Sequence, residues 1–169
     1  MKVLFLDIDG VLNSPKTWAL YGDSSPLAKD QKFNLDPNAI RFIQLLHAQG
    51  VEIVISSTWR LHENLGDFKD VLGFPVKGKK GREVSAGSVR GKEIDLWLKD
   101  HPEVEQYCIV DDDSDMLEEQ MPYFVKTTYK EGLQFDHMEK ICKILGMNVI
   151  DFLYGKDKEV EEDFTNTSL

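Results

Sequence analysis

The 169-residue chain has only two cysteines, Cys108 and Cys142, and no apolar run near the ~20 residues of a membrane span. The cysteines lack metal-ligand spacing and stand in apolar contexts, so they read as reduced core thiols of a cytosolic protein. Met1-Lys2 leads directly into an apolar segment, without the hydrophobic region and small-residue cleavage site of a secretory leader. The expected location is therefore cytoplasmic, with no membrane partner. Positive charge is also scarce, with 20 Lys and Arg against 30 Asp and Glu and a net charge of −10. Proteins that track polyanion backbones carry a basic stripe. Here the only basic cluster is Lys77-Gly78-Lys79-Lys80-Gly81-Arg82, which is either a solvated surface or a substrate contact. There is no internal repeat and no low-complexity segment. A chain of this length, 41% hydrophobic, fits one domain that buries roughly 70% of its unfolded surface.

What the chain does have is concentrated at its start. Val3-Leu4-Phe5-Leu6 reads as a buried strand and runs into Asp7-Ile8-Asp9-Gly10. Alternate residues of an extended strand point to one side, so Asp7 and Asp9 crowd one small volume. Like charges that close repel, and a cation between them is the usual remedy. Gly10 frees the backbone to turn sharply or to approach a ligand.

Residues 14–35 form a long loop, the kind that serves as a lid or binding segment, with a helical turn near Thr17–Tyr21. Trp18 and Tyr21 either wall a substrate or anchor this loop. A helix follows, with Asp36 as N-cap, Pro37 at its first position and Gly50 beyond its end. Val51–Ile55 is the second strand, ending in Ser56-Ser57-Thr58-Trp59-Arg60. One hydroxyl of this run suits a helix cap, yet hydroxyls plus an arginine also suit a phosphate. A helix over Leu61–Leu72 precedes residues 76–91, which are rich in Gly, Lys and Arg and read as a loop or at most a hairpin. The next helix begins near Gly91-Lys92 and ends near Asp100-His101-Pro102. Tyr107–Val110 is a strand running into Asp111-Asp112-Asp113-Ser114-Asp115, four acids in five residues, costly unless something positive lies there. Met116–Gln120 reads as a short helix, Tyr123–Thr127 as a last strand and Phe135–Leu145 as a closing helix with Leu133 as its staple. Residues 148–154 add a final turn. The tail, 155–169, is polar and acidic and is expected to be mobile.

Strands alternating with helices imply an α/β fold, a parallel sheet with helices on both faces. Ligands of such sheets bind beyond the carboxyl ends of the strands. Three strand ends carry Asp7/Asp9, Ser56-Ser57-Thr58 and Asp111/Asp112, and Lys92 opens the helix between the last two. A carboxylate-rich, all-oxygen site with a phosphate substrate favours Mg2+ over zinc.

Asp7-Ile8-Asp9-Gly10-Val11-Leu12 resembles the first motif of the haloacid dehalogenase (HAD) superfamily, and the order of the four groups resembles the order of its motifs. The resemblance implies a Rossmann-like HAD core over residues 1–154 with a minimal cap and a Mg2+-dependent phosphohydrolase activity. It implies Asp7 as nucleophile and as metal ligand, and Asp9 as general acid/base with its backbone carbonyl at the metal. Ser56 matches the hydroxyl position, with Ser57 a close rival, and Lys92 matches the cation that steadies the phosphoryl charge. Asp111 and Asp112 match the final acidic pair, Asp112 as direct Mg2+ ligand, while Asp113 and Asp115 stay open as ligands. Ser57, Thr58 and Arg60 are the expected substrate-binding residues; Arg60 either anchors substrate or forms a structural ion pair. The motifs look most like the small HAD domains associated with nucleic-acid repair, similar to polynucleotide phosphatases. No Gly-x-x-x-x-Gly-Lys-Ser/Thr kinase motif is present. The implied substrate is a phosphorylated small molecule or a nucleic-acid end. A catalytically silent HAD-fold module and a phosphotransferase are the alternatives; every motif position is chemically competent, against the first, and no water-excluding cap is evident, against the second.

Overall fold

The structure, a computed structural model, describes residues 1–22, 34–58, 65–78, 89–149 and 152. Five parallel strands form one sheet in the order β3-β2-β1-β4-β5: β1 Lys2–Leu6, β2 Val51–Ile55, β3 Lys77–Gly78, β4 Gln106–Asp111 and β5 Phe124–Lys126. β1 lies at the centre, with Lys2 to Leu6 pairing Val51 to Ile55 on one side and Gln106 to Val110 on the other. Both faces of β1 are buried, which is why its sequence is continuously apolar rather than alternating.

The helices are α1 Pro15–Tyr21, α2 Pro37–Ala48, α3 Leu65–Leu72, α4 Arg90–Lys99 and α5 Phe135–Ile144. Two apolar clusters flank the sheet. Leu4, Leu6, Ile53, Ile55, Cys108 and Val110 pack against Ile40, Ile43 and Leu46 of α2 and Ile141 and Cys142 of α5. Val3, Phe5, Val54 and Ile109 pack against Ile94 and Trp97 of α4, where the Phe5 and Trp97 rings meet edge to face at 5.2 Å. The expected parallel α/β sheet with helices on both faces is the architecture the chain adopts.

Local chemistry sets the boundaries. The Asp36 side chain accepts from the amides of Asn38 and Ala39, Pro37 starts α2, and Gly50 takes a φ of 85° between α2 and β2. Ser14 caps α1 by accepting from Thr17 N, so the helix takes Pro15 as its first residue, earlier than the turn expected near Thr17–Tyr21.

Two expectations need correction. Lys77-Gly78, read as loop or hairpin, is an edge strand parallel to β2, pairing Val54 with Lys77 and Ile55 with Gly78. The segment read as a helix over Met116–Gln120 is a 3₁₀ turn over Glu118–Tyr123 containing Pro122, whose missing amide suits so short an element. Near the chain's end Val149 and Phe152 are helical, and Phe152 tilts onto Phe42 at 5.1 Å. Residues 61–64 and the tail 155–169 lie outside the described residues. Among those described, no helix is long and apolar enough to cross a membrane.

Candidate active site

The carboxyl ends of β1, β2 and β4 meet at one edge of the sheet. Asp7 follows β1, its amide donating to Val110 O at 3.0 Å, and its side chain is buried. Gly10, at a φ of 69°, turns the chain, and the amides of Val11, Leu12 and Asn13 return to Ile8 O at 3.2, 2.8 and 3.2 Å. The Asp9 carboxylate accepts from Asn13 Nδ2 at 2.9 Å, while Gly10 N donates to Asn13 Oδ1 at 3.2 Å. Asn13, given no role by the sequence reading, thus fixes the orientation of Asp9.

Asp111 closes β4, fully buried; its Oδ1 accepts from Asp113 N at 3.0 Å and its Oδ2 makes no hydrogen bond. Asp112 packs directly on Gly10, where an added Cβ would stand 2.5 Å from Asp112 Cγ. Only glycine allows both the left-handed turn and this approach. One oxygen from each of Asp7, Asp111 and Asp112 lies within 4.8 Å of the other two. The side chain of Asp9 is not in this group, although its charge reaches Asp112. Asp113 and Asp115 are exposed. Asp115 covers the start of α4: its carboxylate accepts from Arg90 N at 2.9 Å and its carbonyl from Gly91 N at 3.1 Å. That is helix capping, a use of an acid that its place in an acidic run does not signal.

Among the described residues, the cation facing the carboxylates is Arg90. Its Nη1 donates to Asp7 Oδ1 at 3.1 Å, stands 3.6 Å from Asp111 Oδ2, and also donates to Ser56 O. Lys92 is exposed, and no hydrogen bond or ion pair of its side chain is found among the described residues. Two residues along a helix rotate the side chain by roughly 200°, so Arg90 and Lys92 face opposite ways. From the sequence the helix is expected to begin near Gly91-Lys92, with Arg90 in the basic segment 76–91 before it. Gly91, next to Arg90, packs on Met116, Leu117 and Gln120 just past the acidic run, a contact that sequence spacing does not signal.

Ser56 and Ser57 are both buried at the end of β2, and Ser56 N donates to Leu6 O at 3.0 Å. The Ser57 hydroxyl hydrogen-bonds the Asp7 carboxylate. Thr58 is exposed, and Trp59 and Arg60 lie outside the described residues.

Burial raises the pKa of Asp7, with the Arg90 charge the main opposing influence. Asp111 is pushed up to about 7, by burial first and then by the charge of Asp7. Burial and the neighbouring Asp113 raise Asp112. At Arg90, burial works against the charge, and Asp7 and Asp111 outweigh it. Among the described residues, one guanidinium faces three carboxylates, which leaves negative charge over, and Asp111 Oδ2 is a buried acceptor with no hydrogen bond. An all-carboxylate donor set of this kind fits a hard divalent cation.

Among models of protein families, the one described as the HAD domain in Swiss Army Knife RNA repair proteins matches residues 3–138. No curated protein and no solved structure matches the chain.

Proposed function

The chain belongs to the family of HAD domains in Swiss Army Knife RNA repair proteins, and from that premise we propose that it is a Mg2+-dependent phosphomonoesterase acting on a nucleic-acid end. The observation that carries the reading is the buried Asp7 carboxylate, held by Arg90 and Ser57 within reach of Asp111 and Asp112. Asp7, Asp111 and Asp112 would hold Mg2+, with the Asp9 carbonyl as a further ligand, and the ion would neutralise charge on the phosphoryl oxygens.

In this reading an Asp7 oxygen attacks phosphorus and the bond to the leaving oxygen breaks, giving an aspartyl-phosphate. Asp9, steadied by Asn13, delivers its proton to the leaving oxygen. Asp9 then takes a proton from the water that attacks the aspartyl-phosphate, releasing inorganic phosphate and restoring Asp7. Arg90 fills the role that the sequence reading gave Lys92: it holds Asp7 in line and places a fixed positive charge beside the developing phosphoryl charge. Ser57, bonded to Asp7, and Ser56, at the same strand end, supply hydroxyls for the transferred group. Residues 1–154 form the catalytic domain in this account.

The test is phosphate release from 3′- and 5′-phosphorylated oligonucleotides, nucleotides, sugar phosphates and an aryl phosphate, with Mg2+ or with chelator. Turnover of a phosphorylated oligonucleotide that needs Mg2+ and falls by orders of magnitude in Asp7→Asn is expected. Activity that survives Asp7→Asn undiminished contradicts the assignment of the nucleophile.

A further inference from the structure

Beside the carboxylates, two segments are clamped together. Thr127 Oγ1 donates to Gly10 O at 2.7 Å, Leu133 N to Val11 O at 2.9 Å, and Lys16 N to Lys130 O at 3.2 Å. Lys16 Nζ donates to Gln134 Oε1 at 2.9 Å. Gly132, at a φ of 70°, sits so close that an added Cβ would stand 3.1 Å from Val11 O. The turn after β5 is therefore fixed onto the loop that carries Asp9, at the same sheet edge.

These two segments display large apolar side chains to solvent: Trp18 is 51%, Leu20 64%, Tyr129 63% and Phe135 58% exposed. The apolar contacts of the core do not use them. Exposed lysines interleave with them: Lys16, Lys130 and, at the end of β5, Lys126. Glu131 and Asp136 are the acids of the same stretch, and Asp136 is paired with Lys140 at 3.1 Å. Thus a chain of net charge −10 gathers lysines, and rings with no ring contact among the described residues, next to its carboxylate cluster. Rings with intervening cations on a rigid rim are what an unpaired strand needs, since each base has a face to stack and each linkage a charge to neutralise.

We propose that this rim, centred on Tyr129 and Phe135 with Lys16 and Lys130, binds the single-stranded segment adjoining the terminal phosphate, stacking its bases and pairing its phosphodiesters. The proposal rests on the phosphomonoesterase reading above and narrows its substrate to single-stranded ends. It also reconciles nucleic-acid binding with the acidic total, because a few contacts at one rim require no basic stripe.

Tyr129→Leu and Phe135→Leu keep apolar bulk at exposed positions and remove the ring faces, so the fold is retained; Tyr129→Phe serves as the conservative control. Two quantities are measured in the full chain. One is kcat/KM on a single-stranded hexanucleotide with a terminal phosphate, against an aryl phosphate. The other is the Kd of a fluorescent hexanucleotide without a terminal phosphate. Each leucine variant is expected to lose about 5- to 100-fold on both oligonucleotide measures, with aryl phosphate turnover unchanged and Tyr129→Phe close to wild type. If no phosphomonoester is hydrolysed at all, the reading of function fails while the Kd series still decides the rim. An unchanged Kd in both leucine variants overturns the proposal. So does tighter binding of duplex than single strand, or a self-association lost in the variants while oligonucleotide binding persists.

Discussion

At Arg90 a guanidinium stands 3.1 Å from Asp7 and 3.6 Å from Asp111, and among the described residues it is the positive side chain turned into the carboxylate cluster. In the proposed reaction, removing it would deprive the transition state of a fixed charge in a partly desolvated site. Arg90→Ala should therefore lower kcat by about 10²–10³-fold, whereas Lys92→Ala, on the opposite side of the helix, should stay within about twofold. Steady-state kinetics on one phosphomonoester checks both; a large loss at Lys92 with none at Arg90 would return the role to the lysine. The same cluster carries a pH signature. In the metal-free protein Asp111 titrates at about 7 against an ordinary 3.8, so the folded state keeps a proton that the unfolded chain has released. The stability from this raised pKa is complete below about 3.8 and is lost as pH climbs through about 7. Asp7 and Asp112 shift in the same direction. Melting in chelator should thus show Tm falling over that window, with a shallower fall in Asp111→Asn, which is neutral throughout. Equal slopes in the two proteins would contradict it.

At the scale of elements, α4 is what brings Arg90 to the carboxylates, and Gly91 lets α4 come close enough. An added Cβ there would lie 2.5 Å from Leu117 N and 2.6 Å from Gln120 Oε1, and the backbone atom has no rotamer by which to yield. Gly91→Ala should destabilise the fold by about 1–3 kcal/mol, as overpacking does, and shift Arg90, lowering turnover in the protein that still folds. Chemical denaturation and kinetics read the two effects; a variant as stable and active as wild type would mean that this contact is loose. The helices and strands with strong local signals were legible: the Asp36-Pro37 start and Gly50 end of α2, and the buried runs of β1, β2 and β4. β3 was not, because two residues paired at a sheet edge leave no periodicity, and Lys77-Gly78 has the composition of a loop. Arg90 was missed for a related reason, since helix starts blur by a residue or two and one residue's displacement changes the face. Asp7, Asp111 and Asp112 could be placed near one another because each lies at or just past a strand end, but the sequence also put the Asp9 carboxylate beside Asp7, and that side chain accepts from Asn13 and stands outside the group. The capping by Asp115 and the Asn13–Asp9 bond depend on loop geometry that sequence spacing does not encode.

Across the whole molecule, the two apolar clusters on either side of the sheet hold three strand ends in register, and the candidate site gathers at that one edge. The negative total of −10 is partly the cost of this arrangement, because the acids that would hold a cation are counted without it. The family match over residues 3–138 spans all of the described sheet but Lys2, and the start of α5, so the candidate site lies within the matched segment. The central claim is that Asp7 is phosphorylated during turnover. The most direct measurement is an acid quench of the protein turning over an oligonucleotide with a radiolabelled terminal phosphate and Mg2+, followed by peptide mapping. The account predicts label on the peptide containing Asp7, acid-stable and released by base, and none in Asp7→Asn. Turnover with no label on the wild-type protein, at a rate that Asp7→Asn leaves unchanged, would contradict it.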